Sequence, residues 1–282
     1  MNMPQMPLAA RNIEKGVPLK NVIGRAAVEQ LARNLELSSR CFDPEEFIQV
    51  VMQKLDSLEL MERGQWVAEV MRHFLPPLYE DAVQILIQSM TPARQDAVDL
   101  GGTSTFFYLP YSCFISSYGL SIRENGGVDP FECSMNALLE LTTRFTSEFA
   151  IRPFLIEQEQ RTFDRIHGWL SDPNPHVRRL CSEGTRPLLP WGRRLPAMLE
   201  TPEKTLHILE SLKNDKELYV RRSVANHLGD LAKSHPRWVF GLCQQWLEEG
   251  ASRELKWVIR HAVRYWAKKD DPHAIELRSN AR

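Results

Sequence analysis

Apolar residues recur along most of the chain at the three- and four-residue spacing of helices that bury one face. The pattern runs from Val22 to about Leu37. Asp43-Pro44 then supplies an N-cap with proline at the first helical position, which predicts a helix to about Leu60. Further helices are predicted over 63–74 and 78–90, each ended by prolines. These residues therefore predict a series of short antiparallel helices.

The interval 101–125 has a different composition, because it is rich in aromatic, serine and threonine residues between two glycine pairs. Its propensity would allow a strand, but a lone strand would have no partner in this chain. We expect an irregular segment or a helix there, with the glycine pairs as turns. A helix is then predicted from Asp129-Pro130 through Phe149, and the helical pattern resumes from Ile156 to Leu170.

The clearest internal repeat begins at Asp172. Val177-Arg178-Arg179 recurs as Val220-Arg221-Arg222, and a weaker third copy surrounds Val258 and Arg260. A period near forty residues, with two helices per unit and no strand, is typical of HEAT-like repeats. The predicted fold is an all-α solenoid of antiparallel helix pairs. We expect one domain over 1–282, with a flexible segment over 1–20 and its clearest repeats over 172–282.

The second copy separates apolar and polar positions onto two sides of one helix. Its core positions are predicted to be Val220, Val224, Leu228 and Leu231. On another side, Arg222, Asn226 and Asp230 follow one another at steps of four and form a polar row that contains one carboxylate.

Neighbouring copies should bring equivalent residues together. The alignment places Arg179, Arg222 and Arg260 in one line, with Glu183 beside Asn226 and Arg264. Any one such pair is more often an ordinary surface pair worth a few tenths of a kcal/mol. Repetition at the same phase in three units favours a binding surface instead, since solenoids bind along such faces.

One stretch, His176–Leu195, combines charge, proline and an aromatic ring. Pro187 and Pro190 break its helical pattern and leave Trp191 just beyond the break. Core packing is the more common fate of a tryptophan. Trp191 is also followed by Gly192-Arg193-Arg194, a polar stretch that is compatible with an exposed ring.

Composition is that of an ordinary globular protein, with 43% hydrophobic and 25% charged residues in 282. No apolar run is long enough for a bilayer, the first residues lack the order of a secretory signal, and five scattered cysteines form no CxxC pair. These features favour a cytoplasmic protein with buried thiols. Charge is uneven: His176–Arg282 holds 20 Lys and Arg against 13 Asp and Glu. Such a basic region attracts phosphate backbones, or is merely a solvated surface.

Three motifs carry a resemblance to a known family. They are SEFAIRPFL at 147–155, HVRRLCSEGTRPLLPW at 176–191 and YVRRSVANHLGDLAK at 219–233. With the order of the N-terminal helices, nearly the whole chain resembles the HEAT-like-repeat DNA glycosylases of the DNA alkylation repair family. Within that family it resembles the AlkC branch rather than the AlkD branch, without the immunoglobulin-like domain that some members carry at the C terminus.

The resemblance implies a monofunctional glycosylase that removes 3-methyladenine, and as a further candidate 3-methylcytosine, during base excision repair. By motif position it implies Glu148 and Asp230 as the acidic catalytic pair, with Glu183 and Trp191 contacting the lesion or its sugar. The expected partner is double-stranded alkylated DNA, bound by a monomer without cofactor, metal or membrane, in a bacterial cytoplasm and on the nucleoid. The residues expected to hold the DNA backbone are Arg152, Arg179, Arg222, Arg260 and Arg264.

Two other classes of function stay open from the sequence. A non-catalytic HEAT-repeat scaffold could bind DNA or a protein through the same basic face, although a phosphate-binding face has no use for embedded carboxylates. A metal-dependent hydrolase is less favoured, because His227 has no second histidine or carboxylate at a recognised ligand spacing.

Overall fold

A computed structural model describes residues 3–7, 12–93 and 102–282, and these fall into two compact units. Unit 1 is Met1–Ala150 and unit 2 is Ile151–Arg282. All regular elements in the described residues are helices, which confirms the all-α prediction. Part of the predicted flexible segment 1–20, and Gly101 of the first glycine pair, lie outside the described residues.

Unit 1 contains six α-helices among its described residues, with shorter 3₁₀ turns between them. The α-helices are α1 Arg25–Ser38, α2 Pro44–Met52, α3 Leu60–Phe74, α4 Tyr79–Gln88, α5 Leu109–Tyr118 and α6 Phe131–Thr142. The 3₁₀ turns are Leu19–Ile23, Leu55–Ser57, Gly102–Tyr108 and Arg123–Asn125.

The start of α2 follows the sequence signal, but its end does not. Asp43 Oδ1 accepts a hydrogen bond from the Glu46 amide at 3.0 Å, as an N-cap does. The helix ends at Met52 and not near Leu60. The reason is a second start signal: the Glu62 carboxylate accepts from the Glu59 amide at 2.8 Å in a capping box that begins α3.

The aromatic interval and the segment after it are helical, with one earlier end than predicted. Residues 102–108 form a 3₁₀ turn that leads into α5, so the strand alternative is wrong. The following helix, α6, ends at Thr142 and not at Phe149. Side chains bind its last carbonyls: Thr143 Oγ1 donates to the Glu140 carbonyl at 2.8 Å, and Ser147 Oγ donates to that of Leu138 at 2.7 Å.

Unit 2 contains ten α-helices among its described residues. They are α7 Arg152–Glu157, α8 Glu159–Trp169, α9 Pro175–Gly184, α10 Pro196–Glu200, α11 Leu206–Leu212, α12 Leu218–Leu231, α13 Pro236–Glu248, α14 Arg253–Ala262, α15 Arg264–Ala267 and α16 Pro272–Asn280. A 3₁₀ turn, Pro202–Thr205, precedes α11.

Helix α12 is the centre of unit 2, because it packs against α9 on one side and α14 on another. Its predicted core residues Val220, Val224, Leu228 and Leu231 are all fully buried, which confirms the helical phase read from the sequence. Helices α9, α12 and α14 are thus the equivalent helices of three successive repeats.

The third repeat has a different register from the one predicted. The N-caps of the three helices are Asn174, Glu217 and Ser252. Aligned on them, Arg260 matches Ala225 and not Arg222. The expected line of three arginines is therefore wrong at Arg260, because a single helix, α13, separates α14 from α12, whereas α10, a 3₁₀ turn and α11 separate α12 from α9.

Among the described residues, no helix has both the length and the apolar composition needed to cross a membrane.

Candidate active site

Four charged side chains, three of them buried, form a network between α9 and α12. Arg186, two residues beyond the end of α9, donates from Nη1 to Glu183 Oε1 at 2.6 Å and from Nε to Asp230 Oδ2 at 2.9 Å. Arg179 approaches Glu183 Oε1 with its Nη2 at 3.4 Å. At the other end, Lys233 Nζ lies 3.5 Å from Asp230 Oδ1. We call Arg179, Glu183, Arg186 and Asp230 the charge network.

Opposite charges in the network stabilise one another, so its groups stay ionised although three of them are buried. Glu183, Arg186 and Asp230 are 5%, 8% and 4% exposed. Burial by itself would raise the pKa of Glu183, but the neighbouring Arg179 and Arg186 outweigh it and hold that pKa below its ordinary value. For Arg186, burial acts to lower the pKa, and Glu183 with Asp230 raises it above its usual range. Both Glu183 and Arg186 are therefore ionised at neutral pH.

A cavity of about 330 Å³ opens beside Asp230. We call it the Asp230 cavity. Its charged lining consists of the Asp230 carboxylate and four cations, Arg186, Lys233, Arg264 and Lys268. Burial and then the repulsion of Arg186 lower the pKa of Arg264, which shows how closely these cations are placed. A cavity of this composition suits an anion much better than a cation.

The end of α14 and helix α15 also line the Asp230 cavity, with Ala262 from α14 and with Arg264 and Tyr265 from α15. Arg264 Nη2 donates to Asn226 Oδ1 at 3.1 Å, and His261 Nε2 lies at the same distance from that oxygen. Burial, followed by the charges of Arg264 and Arg222, lowers the pKa of His261 to about 4. His261 is thus neutral and donates its Nε2 proton. Asn226, from the predicted polar row, consequently holds the third repeat against the second.

Trp191 stands at the surface next to this cavity wall. Pro190 lines the Asp230 cavity, and Trp191 directly follows it with 64% of its surface exposed. Its φ of 63° lies in the left-handed region, which a residue with a bulky side chain rarely adopts. The exposed alternative for Trp191 is therefore the correct one. Backbone strain held at an exposed aromatic residue is typical of a functional position.

Arg152 holds the loop that carries Trp191. Its side chain is fully buried, at 0% exposure. Nη1 donates to the Gly184 carbonyl and Nη2 to the Arg186 carbonyl, each at 2.9 Å, and Nε donates to the carbonyl of Arg193. Gly192 leaves room for it, since a Cβ there would lie 3.3 Å from Arg152 Cδ.

The expectation that Arg152 contacts the DNA backbone is accordingly corrected. Its guanidinium is enclosed by protein, and its nitrogens bind the carbonyls of Gly184, at the end of α9, and of Arg186 and Arg193 in the following loop, so it cannot also present them to a phosphate. Every residue carries a backbone carbonyl, so the sequence does not show which carbonyls will accept from a side chain. The role of Arg152 is to position that loop.

The other predicted backbone-binding arginines lie at different depths. Arg222 is exposed, whereas Arg179 is partly buried and lies over the Tyr219 ring at 5.2 Å. Arg260 donates to the Ala281 carbonyl near the end of α16. Arg264 lines the Asp230 cavity. Of the five predicted arginines, Arg222 and Arg264 are the ones placed best for a ligand.

Glu148 belongs to unit 1, near its end, and is 8% exposed. Thr146 Oγ1 donates to Glu148 Oε2 at 2.7 Å and accepts from the Glu148 amide at 3.2 Å. This local turn fixes the direction of the carboxylate. Its predicted partnership with Asp230 remains a prediction.

Sequence reasoning missed three residues of this site: Arg186, Lys233 and Lys268. Arg186 lies after the last helical position of α9, where the periodic pattern has ended. A signal for it was nonetheless present, because it follows Glu183 by three residues and can fold back onto it. Its second partner, Asp230, belongs to the next repeat and could be found only from the packing of α9 on α12.

Comparisons with known proteins place this site in a family. The sequence profile described as DNA alkylation repair enzyme matches residues 145–266, which include Glu148 and the whole charge network. A relative from Bacillus subtilis, the uncharacterized protein YhaZ, is 35% identical over 260 residues, covering 92% of this chain and 67% of that protein. The chain belongs to the family of DNA alkylation repair enzymes.

A solved structure narrows the relationship to one branch of the family. The alkylpurine DNA glycosylase AlkC of Pseudomonas fluorescens, bound to DNA containing an abasic site analog, matches with a TM-score of 0.80 and 35% sequence identity. The match covers 93% of this chain and 67% of that one, so this chain spans about two thirds of the length of either relative. The fold is the HEAT-like helical repeat of the AlkC branch.

Proposed function

We propose that this protein is a monofunctional DNA glycosylase that hydrolyses the N-glycosidic bond of cationic alkylated bases. Its expected substrate is 3-methyladenine, with 3-methylcytosine as a second candidate, in double-stranded DNA bound by a cytoplasmic monomer. The observation that carries the proposal is the placement of Asp230. It is a carboxylate held in a fixed direction by Arg186, at the wall of a cavity whose other charges are cations.

The cations of the Asp230 cavity fit the DNA backbone. Lys233, Arg264 and Lys268 can neutralise phosphates that flank the lesion, which gives affinity without reading base sequence. A positively charged base would be repelled by the same side chains. We therefore place the sugar and phosphate towards the cavity and the alkylated base towards the exposed ring of Trp191, where a cation is favoured over an aromatic face.

The chemistry needs little acid catalysis, because a base alkylated at N3 leaves as a neutral molecule. What remains is to stabilise the positive charge that develops on the deoxyribose and to position the attacking water. The Asp230 carboxylate suits both tasks, since Arg186 fixes its orientation. No covalent intermediate with a lysine is required, so we expect base release without strand cleavage.

Glu183 and Glu148 have supporting roles in this proposal. Glu183 carries the second negative charge of the network and shares Arg186 with Asp230. Its charge therefore offsets part of the positive charge that Arg186 places beside Asp230. Glu148 is proposed as a second carboxylate for the water or the sugar, in accord with its place in the family motif. Its contribution is measured by replacing it with glutamine.

The proposal is tested by base release from methylated duplex DNA, with 3-methyladenine, 3-methylcytosine and 7-methylguanine separated by chromatography. Wild type should release 3-methyladenine, with and without a chelator. Asp230→Asn should lower the rate by about 10²–10³-fold, the usual cost of removing one electrostatic stabiliser of a transition state.

Asp215→Asn is the matched control. Asp215 is also a largely enclosed aspartate of unit 2 paired with an arginine, at 2.6 Å from Arg178 Nε, but it does not line the Asp230 cavity. When folded, this variant should have the same activity as wild type. Equal activity of Asp230→Asn and wild type would overturn the proposal. Salt-sensitive duplex binding without release of any base would favour the scaffold alternative.

A further inference from the structure

Two arginines, Arg178 and Arg221, occupy the same position in successive repeats. Each is the fourth residue after the N-cap of its helix, α9 or α12. Each also donates from Nη1 to two carbonyls of the loop before its own helix, at 2.8 and 3.0 Å for Arg178 and at 2.5 and 3.0 Å for Arg221. The two guanidinium groups are therefore anchored in the same way.

Arg178 uses its remaining donors to bind Asp215, which precedes the helix of the following repeat. Its Nε donates to Asp215 Oδ2 at 2.6 Å and its Nη2 donates to Asp215 Oδ1 at 3.0 Å. Both side chains are largely enclosed, at 8% and 6% exposure. This is the two-point pairing of a guanidinium with a carboxylate, which is strong and directional.

Arg221 has the same donors but lacks the carboxylate. Asp215 lies two residues before the N-cap of α12, and the residue two before the N-cap of α14 is Gly250. Arg221 Nε is buried and has no hydrogen-bond partner in the described part of the chain. A buried donor left unpaired is unfavourable, so an acceptor supplied by a ligand would be bound with advantage.

A groove of about 630 Å³ lies where that acceptor would sit. Arg221, Lys213, Lys216, Trp246 and Ser252 are among its lining residues. Lys213 Nζ lies over the Trp246 ring at 4.8 Å and is paired with Glu210 at 2.5 Å. We call this space the Arg221 groove.

The Arg221 groove is separate from the Asp230 cavity, and the two share no lining residue. Arg221 and Asp230 are nine residues apart on α12, which corresponds to about 13 Å along the helix axis. At 100° per residue, nine residues also place the two side chains on opposite sides of the helix. A ligand in the groove would thus leave the proposed catalytic carboxylate free.

We propose that the Arg221 groove is a binding site for a carboxylate. The geometry favours a planar group that accepts from Nε and Nη2 together, as Asp215 does from Arg178. Charge decides against phosphate, because Glu249 and Glu254 also line the groove, and phosphate concentrates more negative charge on one group than a carboxylate or either end of a dicarboxylate does. The carboxylate comes from an acidic peptide segment or from a small dicarboxylate.

The test observes the arginine Nε–Hε signals of the full-length protein by NMR during titration. The probes are a blocked tripeptide with a central aspartate, the same peptide with asparagine, sodium succinate and inorganic phosphate. The aspartate peptide should shift the Arg221 signal in a saturable way, and the asparagine peptide should not. The Arg178 signal should stay in place, because Asp215 already holds that guanidinium.

The arms of this experiment separate the two sources of the carboxylate. Tighter binding of the peptide assigns the groove to an acidic protein segment, and tighter binding of succinate assigns it to a small dicarboxylate. Arg221→Lys should weaken the better probe by about tenfold or more, since lysine cannot make the two-point contact. Lys216→Gln, at an exposed position, should weaken it less.

Three results would overturn the proposal: no shift with either carboxylate, a larger shift with phosphate, or equal movement of the Arg178 signal. Should Arg221→Lys not fold, the titrations of wild type and Lys216→Gln decide the question by themselves.

Discussion

Arg186 donates to Asp230 at 2.9 Å across the boundary between two repeats, while the same guanidinium donates to Glu183 at 2.6 Å within its own repeat. One cation therefore bridges two buried carboxylates, while Arg179 approaches Glu183 at 3.4 Å and Lys233 approaches Asp230 at 3.5 Å. The arrangement couples the packing of α9 on α12 to the direction of the proposed catalytic group.

Replacing Arg186 with methionine should destabilise the protein strongly. The substitution leaves Glu183 and Asp230 buried without their shared partner, and breaking a buried ion pair typically lowers the free energy of unfolding by about 3–5 kcal/mol. Urea denaturation followed by circular dichroism measures the change. Arg222→Met is the control, because Arg222 is exposed, and it should stay within about 0.5 kcal/mol of wild type. A similar decrease in the free energy of unfolding in both variants would show that the charge network does not stabilise the fold more than an exposed arginine does.

The left-handed backbone of Trp191 predicts that two substitutions of this residue differ in stability but not in activity. Trp191→Gly should be more stable than Trp191→Ala by about 1 kcal/mol, because glycine adopts a positive φ without the Cβ clash. Both variants should lose activity on methylated DNA to the same degree, since both lack the ring. Thermal unfolding and base release measure the two effects. Equal stability of the two variants would mean that the loop relaxes when the ring is removed.

His227 predicts a loss of stability in acid. Burial, followed by the charge of Arg186, lowers its pKa from 6.5 to about 3. The folded protein therefore keeps His227 neutral over a range in which the unfolded chain takes up a proton. The contribution of His227 is complete above pH 6.5 and should fall by about 1.4 kcal/mol per pH unit as the pH decreases towards 3.

The measurement for His227 is the pH dependence of the free energy of unfolding in wild type and in His227→Gln. The difference between them should narrow as the pH falls below 6.5. His273→Gln, at an exposed position of α16, should follow wild type at every pH. A difference that does not depend on pH would place the proton elsewhere.

The cations of the Asp230 cavity predict the salt dependence of DNA binding. Lys268→Gln should weaken binding to every duplex alike and reduce the slope of log affinity against log salt by about one, as expected when one phosphate contact is lost. Lys204→Gln is the control, because Lys204 is paired with Glu159 at 2.6 Å and lies outside the cavity. Fluorescence anisotropy over a series of salt concentrations gives both slopes. An unchanged slope for Lys268→Gln would remove it from the DNA-binding surface.

The helical repeats could be predicted from the sequence, because apolar residues at helical spacing lie on one face of a helix and are buried together. Val220, Val224 and Leu228 are in the core as their spacing requires, and the repeat of Val-Arg-Arg located α9 and α12 correctly. The same pattern predicts the wrong register for the third repeat, because a single helix, α13, separates α14 from α12, whereas α10, a 3₁₀ turn and α11 separate α12 from α9. Ser252, whose Oγ accepts from the Leu255 amide at 3.0 Å, was the local signal that would have corrected it.

The site itself could be predicted only in part. The sequence predicts Asp230 as the single carboxylate of a polar row, but its burial depends on Arg186, which lies outside any helix. For Arg152 the sequence predicts a surface cation, because residue types do not show which carbonyls of an irregular loop will accept hydrogen bonds. Charge patterns show which groups are available, and tertiary packing decides which of them face the solvent.

The three carbonyls held by Arg152 also bear on protein engineering. Two of them, those of Arg186 and Arg193, belong to the loop from Thr185 to Leu195, so the shape of this loop depends on a side chain that lies more than thirty residues before it. Transplanting those eleven residues into another helical repeat protein would move the tryptophan without its support. A working graft must bring an arginine at the position of Arg152 along with the loop.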